Sequence, residues 1–169
     1  DWQVYHASVG NTKYGKLHAN TEWVASSARW GDTTPTATHF TISTNFTENT
    51  AHWVAYLWAS LDGISKIGSF TGNGGSSAQD IDCGFSSSAR LVLLKNSDNS
   101  GDWQMYDSAR GFGTGTTNGL YYPNWSSAFE DIIAADSIAT YSSGFTVSSG
   151  ATRNAINQDT KKIIYLAIA

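Results

Sequence analysis

Charge, cysteine and long apolar runs are all scarce in this chain, and each shortage removes a class of protein. Asp, Glu, Lys and Arg make up 14% of the 169 residues, against about a quarter in an ordinary globular domain. Ten basic residues stand against 14 acidic ones, for a net charge of −4. That balance offers neither the basic face that nucleic acid needs nor one for an acidic membrane. No apolar run approaches the roughly 20 residues of a membrane helix, and no basic-then-apolar leader opens the sequence. Neither nucleic-acid binding nor membrane insertion is expected. The one cysteine, Cys83, reads as a small buried thiol and says little about redox compartment.

Catalytic signatures are also missing. The sequence has no G-x-S-x-G elbow, no H-E-x-x-H and no Cys/His cluster. His6, His18, His39 and His52 are scattered through its first third. Gly72-Asn73-Gly74-Gly75 lacks the third glycine and following helix of a dinucleotide fingerprint. Asp98, Asn99 and Asp102 lack the EF-hand ligand ladder and its closing Glu, and read as a turn. The best acids for glycan hydrolysis are Glu130, Asp131 and Asp136, but adjacent acids in a polar stretch are ordinarily a solvated surface. Glu22 and Glu48 rank no higher. The expectation is a non-enzyme with no cofactor and no metal.

Aromatics reach 13%, and Ser, Thr, Gly and Asn supply the polar surface. Alternating, β-branched and aromatic segments separated by Gly, Asn, Asp and Ser clusters predict an all-β protein with little helix. Strands are expected over 3–7, 14–17, 39–43, 53–60, 64–70, 79–82, 90–95, 103–107, 120–122, 145–148 and 162–168. Leu91-Val92-Leu93-Leu94 is apolar on both faces and suits a strand covered on both sides, whereas Ser65 to Phe70 alternates and suits one wet face. Stacked antiparallel sheets in a β-sandwich provide both settings. A turn or two of helix is expected at 126–133, where a Ser cap precedes acids and apolar residues at helical spacing.

A repeat organises the chain. Asp1-Trp2-Gln3-Val4-Tyr5 returns as Asp102-Trp103-Gln104-Met105-Tyr106. Phe40-Thr41-Ile42-Ser43 returns as Phe145-Thr146-Val147-Ser148, and Tyr56-Leu57 as Tyr165-Leu166. Residues 1–60 thus match only the second half of a unit that residues 61–169 contain whole, and the first module is expected to be incomplete. Its front is expected either to be cut off or to be supplied by another chain. Trp2, Trp103, Tyr5 and Tyr106 recur in both copies and read as core. Tyr121, Tyr122, Asn124 and Trp125 cluster around Pro123 without counterparts. Rings flanked by amides suit sugar binding, so these four, with Trp30 and then Trp58, are the candidate ligand-binding residues. The competing reading is a loop that folds back and buries its own rings.

The complete copy resembles a module common in tailed-phage proteins, notably the tail fibres of marine cyanophages. The likeness runs from Ile64-Ser65-Lys66-Ile67-Gly68-Ser69-Phe70-Thr71-Gly72 through Ile81-Asp82-Cys83-Gly84-Phe85, Gly101-Asp102-Trp103 and Tyr106-Asp107-Ser108-Ala109-Arg110-Gly111 to Tyr165-Leu166-Ala167-Ile168-Ala169. The first copy resembles the latter half of a sister module, in Trp2-Gln3-Val4-Tyr5-His6, Trp30, Pro35-Thr36 and Val54-Ala55-Tyr56-Leu57-Trp58-Ala59. The resemblance implies a structural protein of the virion tail or another extracellular appendage, with a lectin-like or jelly-roll-like sandwich. It implies partners among copies of itself, a homotrimer by analogy, and other virion proteins, with a host-surface glycan as a further partner. The alternatives are a tailspike glycan depolymerase and a bacterial extracellular filament or adhesin subunit.

Overall fold

The last strand of the chain organises everything around it. The structure, a computed structural model, describes all residues except 44–51, 113–116, 126–129, 135–137, 150 and 152–154, and the side chains of 117–118 and 130–134. In chain order the strands are β1 (Gln3–Val4), β2 (Lys13–Lys16), β3 (Val24–Ala25), β4 (Ser65–Thr71), β5 (Gln79–Asp82), β6 (Leu91–Asn96), β7 (Gln104–Asp107), β8 (Thr117–Tyr121), β9 (Glu130–Ala134), β10 (Ile138–Tyr141), β11 (Gly144–Val147) and β12 (Lys162–Ile168). The β-branched and aromatic run of β12 pairs antiparallel with β4 on one edge and β6 on the other. The resulting six-stranded sheet has the order β4-β12-β6-β7-β8-β9, and two three-stranded sheets, β10-β11-β5 and β1-β2-β3, accompany it.

Alternation along each strand decides which side chains meet. Val92 and Leu94 of β6, Tyr106 of β7, Leu120 of β8 and Ile163 and Tyr165 of β12 face one way and pack with Ile138, Phe145 and Val147 of the β10-β11-β5 sheet. Phe85, Phe112, Ala151 and Ile156 also belong to this main core. Each large apolar side chain removed from water there contributes on the order of 1.5–3 kcal/mol. Gly68 faces Tyr165 across β4 and β12, and a Cβ there would collide with the tyrosine ring, so glycine is what admits the ring.

The opposite face of the six-stranded sheet is covered too. Leu93, Trp103 and Ile164 pack with Trp23, Val4, Val9 and Leu17 of the first copy. Leu91 to Leu94 therefore lies in a strand covered on both faces. This seam between copies is hydrogen-bonded as well as apolar. Trp103 Nε1 donates to the Lys16 carbonyl at 2.9 Å, Gly101 N to Asn20 O at 2.8 Å, Trp23 N to Ser97 O at 3.2 Å, and Lys162 Nζ to Ser8 O at 2.7 Å.

Lys95 sits in the seam at 1% exposure. Its ammonium donates to the carbonyls of Asn96 at 2.9 Å, Asn20 at 3.4 Å and Asn99 at 3.5 Å. Burial lowers its pKa to about 8, against the upward pull of Asp102 and Glu22. His6 is also buried there. Its Nδ1 accepts from Ser8 N at 3.1 Å, so the neutral ring carries its proton on Nε2, which has no partner of bonding geometry. Burial holds its pKa below the ordinary histidine value.

The antiparallel all-β class holds, and helix among the described residues is limited to short 3₁₀ turns such as Ser108–Arg110. Asn96 to Asp102 forms the expected turn, with Asn96 Oδ1 accepting from the amides of Asp98 and Asn99. Four expectations fail. Residues 130–133 of the expected helix fall in strand β9, because pairing with β8 satisfies their backbone; residues 126–129 lie outside the described ones. Residues 39–43 and 53–60 form no ladder among the described residues. Trp2, expected in the core, is 50% exposed, because no sheet covers it as the first copy covers Trp103. Strands β3 and β10, with only two and four residues, lack a readable alternation.

Candidate functional site

The Tyr121 to Trp125 stretch closes the end of β8. Tyr121 is half-buried in the sheet, opposite Met105 and Glu130. Tyr122 turns inward and belongs to the main core at 1% exposure. Trp125 N donates to Tyr122 O at 3.1 Å, a turn that lays the Trp125 ring flat on the Tyr122 ring, 4.2 Å between centroids at 14°. Trp125 stays 41% exposed. Asn124 is occupied at both ends: Oδ1 accepts from Trp103 N and Nδ2 donates to Asp102 Oδ1, each at 2.8 Å. Its amide thus fixes the start of β7, a role that cannot be read locally because its partners lie about twenty residues upstream.

The structure therefore brings Tyr121, Tyr122, Asn124 and Trp125 together and puts Trp30 elsewhere. Trp30 is buried with Tyr14, edge-on to Tyr5 at 5.8 Å, and its Nε1 donates to Lys13 O at 2.9 Å. Of the candidates, Trp125 and Trp58 present large exposed rings. A tryptophan held flat by a buried tyrosine is a rigid platform for the C–H face of a sugar or for a partner's side chain.

The remaining polar groups are mostly engaged. Asp98 Oδ2 accepts from Lys162 N, and Asp102 from Asn124, so the turn carboxylates serve the fold. A shallow polar depression of about 510 Å³ is bordered by Gly74, Asn99, Gln158 and Asp159, and Asn99 Nδ2 donates to Gln158 Oε1 at 2.7 Å across it. Cys83 is buried, with its thiol pKa pushed up to about 11 by burial, and it is far from nucleophilic at neutral pH. Among the described residues no group of three or more His, Cys, Asp or Glu could hold a metal ion. Glu130 and Asp131 open β9 with their side chains outside the description, as are Asp136 and Glu48 entirely. Glu22 is exposed.

One surface escaped residue-by-residue reading. Residues 53–60 run along the surface with Trp53, Val54, Tyr56, Leu57 and Trp58 all more than half exposed. A single apolar residue on a surface is ordinary, but a contiguous uncharged run marks an interaction site. In the sequence the segment reads as an ordinary strand, because its residues are those of one.

No helix among the described residues is long and apolar enough to cross a membrane. No curated protein and no solved structure matches the chain. One family does, over residues 1–169, and the chain belongs to it: the family is described as a domain of unknown function, DUF7483.

Proposed function

We propose that the chain is a non-enzymatic structural module of a phage tail fibre or a similar virion appendage, working outside the cell in assembly with copies of itself and other virion proteins. The observation that carries this reading is the seam. The β1-β2-β3 sheet sits directly on the outer face of the six-stranded sheet, joined by Trp23, Trp103 and Ile164 and by bonds from Lys95, Lys162 and Trp103 to first-copy carbonyls. Repeats that weld face to face without a flexible linker make a stiff element, as a shaft or tip requires. Low charge, short turns and the phage-like segments agree with it. Trp125 is the group through which such a module would touch a host-surface glycan, several weak contacts adding up on an oligomer.

Labelling of intact virions with antibody against the chain tests this reading. Label confined to the tail or its appendages is expected; label on bacterial filaments and none on particles would replace the virion assignment. Release of oligosaccharide from host polysaccharide by the purified chain would overturn the non-enzymatic part.

A further inference from the structure

The polar depression beside the Asn96 to Asp102 turn combines fixed walls with unused hydrogen-bonding groups. On one side the loop from Ala155 to Thr160 is clamped to the end of β4. Thr160 N donates to Gly72 O at 3.0 Å, Gly72 N to Lys161 O at 2.9 Å and Gly74 N to Asn157 O at 2.8 Å. A Cβ on Gly72 would collide with the Gln158 carbonyl oxygen, so only glycine lets the two backbones come this close. On the other side Asn99 is held by its own turn, with its N–H donating to Asn96 Oδ1 at 3.0 Å and its carbonyl accepting from Lys95 Nζ at 3.5 Å. Gln158 ties the sides together, its Oε1 accepting from Asn99 Nδ2 at 2.7 Å and from Asn96 Nδ2 at 3.4 Å.

This wall is costly to the fold. Ala155 and Thr160, at the two ends of the loop, both have φ of +61°, a region that side chains other than glycine, and β-branched ones above all, rarely adopt. Asn157 between them is 0% exposed, and its Nδ2 has no partner among the described residues, although its Oδ1 accepts from Asn73 N at 2.9 Å. A loop that only connects strands needs neither strain nor an unmet buried donor; a wall shaped for a ligand tolerates both.

The groups around the opening still have bonding capacity. Gln158 Nε2, Asn99 Oδ1, the Ser100 hydroxyl and the Asp159 carboxylate border the depression, and none has a partner among the described residues. No lysine, arginine, histidine or aromatic residue borders it, so an anion finds no counter-charge and a flat apolar ligand no ring. A hydroxyl both donates and accepts, and a pair of them matches this mixed set. We infer that the depression bordered by Gly74, Asn99, Ser100, Gln158 and Asp159 is a binding site for a neutral saccharide, held through two neighbouring hydroxyls. Asp159 and Asn99 Oδ1 accept from the sugar, and Gln158 Nε2 donates to it. Gly74 keeps the entrance open, since a Cβ there would stand 3.3 Å from Asp159 Cβ. The site shares no residue with the Trp125 platform and stands whether or not the chain belongs to a virion.

The test titrates the isotope-labelled chain with the methyl glycosides of mannose, galactose and glucose, which between them present cis and trans neighbouring hydroxyls, and follows backbone amide shifts by NMR. At least one glycoside should shift the amides of Gly74, Asn99, Ser100, Gln158 and Asp159 saturably, with a Kd on the order of 1 mM, as suits a small ligand on an open site. Asp159→Asn should weaken that binding about tenfold by removing a charged acceptor. Asp159 is exposed, so the rest of the spectrum should stay in place. Trp125→Ala should leave the affinity unchanged. Absence of saturable shifts with all three glycosides would overturn the inference, as would undiminished affinity in Asp159→Asn. Loss of binding in Trp125→Ala would overturn it by moving the sugar to the exposed ring. Calcium chloride shifting these amides where the glycosides do not would replace the sugar with a cation.

Discussion

Trp2 and Trp103 stand in the same five-residue cassette, and one is half in water while the other is 4% exposed with its indole nitrogen bonded to Lys16 O. Tyr56 and Tyr165 repeat the contrast in the final strand of each copy. The residues are alike, so the difference comes from the neighbours. In the complete copy a sheet covers each face of β12 and β6, and among the described residues no sheet buries Trp2 or Tyr56. Burial is a property of the assembled unit; the sequence of one strand specifies only what it can bury.

The sharpest way to break this comparison is to truncate both tryptophans. Trp103→Ala should cost about 3–5 kcal/mol in equilibrium denaturation, as for a buried large aromatic. Trp2→Ala should cost less than about 1 kcal/mol, as at an exposed position. Equal losses would mean that the two copies present equivalent faces after all.

The seam is tested by pH. Lys95 has a folded-state pKa of about 8 against an ordinary 10.5, so the unfolded chain binds the proton more tightly between those values. Stability attributable to Lys95 is full above pH 10.5, declines as pH falls, and is gone below pH 8. The shift corresponds to at most about 3 kcal/mol. Cys83, raised by burial from 9.0 to about 11, pulls the other way above pH 9. The measurement is therefore the difference between the native chain and Lys95→Met across pH 7.5–10.5, which should move in favour of the native chain as pH rises. A flat difference would show an ammonium at ease in the seam.

Backbone crowding sets a smaller contrast between two glycines. A Cβ at Gly144 would overlap the Ile81 carbonyl oxygen where β11 meets β5, so Gly144→Ala should cost about 2 kcal/mol. At Gly10, with φ of +94° and nothing within 4 Å, alanine meets only backbone strain, about 1 kcal/mol. The smallest stability effect belongs to Trp125→Ala, under about 1 kcal/mol, accompanied by a loss of adsorption to host cells if the ring is a contact. A large loss of stability would instead make Trp125 a structural cover for Tyr122.

Much of the fold was legible because strand alternation and the repeat are local patterns. The expected strands at 79–82 and 162–168 coincide with β5 and β12. β9 was not legible: Glu130-Asp131-Ile132-Ile133 has helical spacing, and its strand form is dictated by β8, a partner outside the window. The candidate site was half legible. Composition marked the Tyr121 to Trp125 cluster, but only packing shows that Tyr122 faces inward while Trp125 faces outward, and that Asn124 is tied to Asp102 and Trp103. The exposed run at 53–60 read as an ordinary strand because its residues are those of one.

The register of β4 against β12 has a mechanical consequence. Ser65 lies opposite Ile168, and Ala169 N donates to Ile64 O at 2.9 Å, so residues 64–65 and 168–169 lie side by side at one end of the ladder. A load pulling on those two ends would open the β4–β12 ladder one bond at a time, like a zip, rather than straining all its bonds together. An element built this way is weak when tugged by its ends and strong when pressed through its faces. A load applied across the Trp23 and Trp103 seam would instead meet packed rings and hydrogen bonds together.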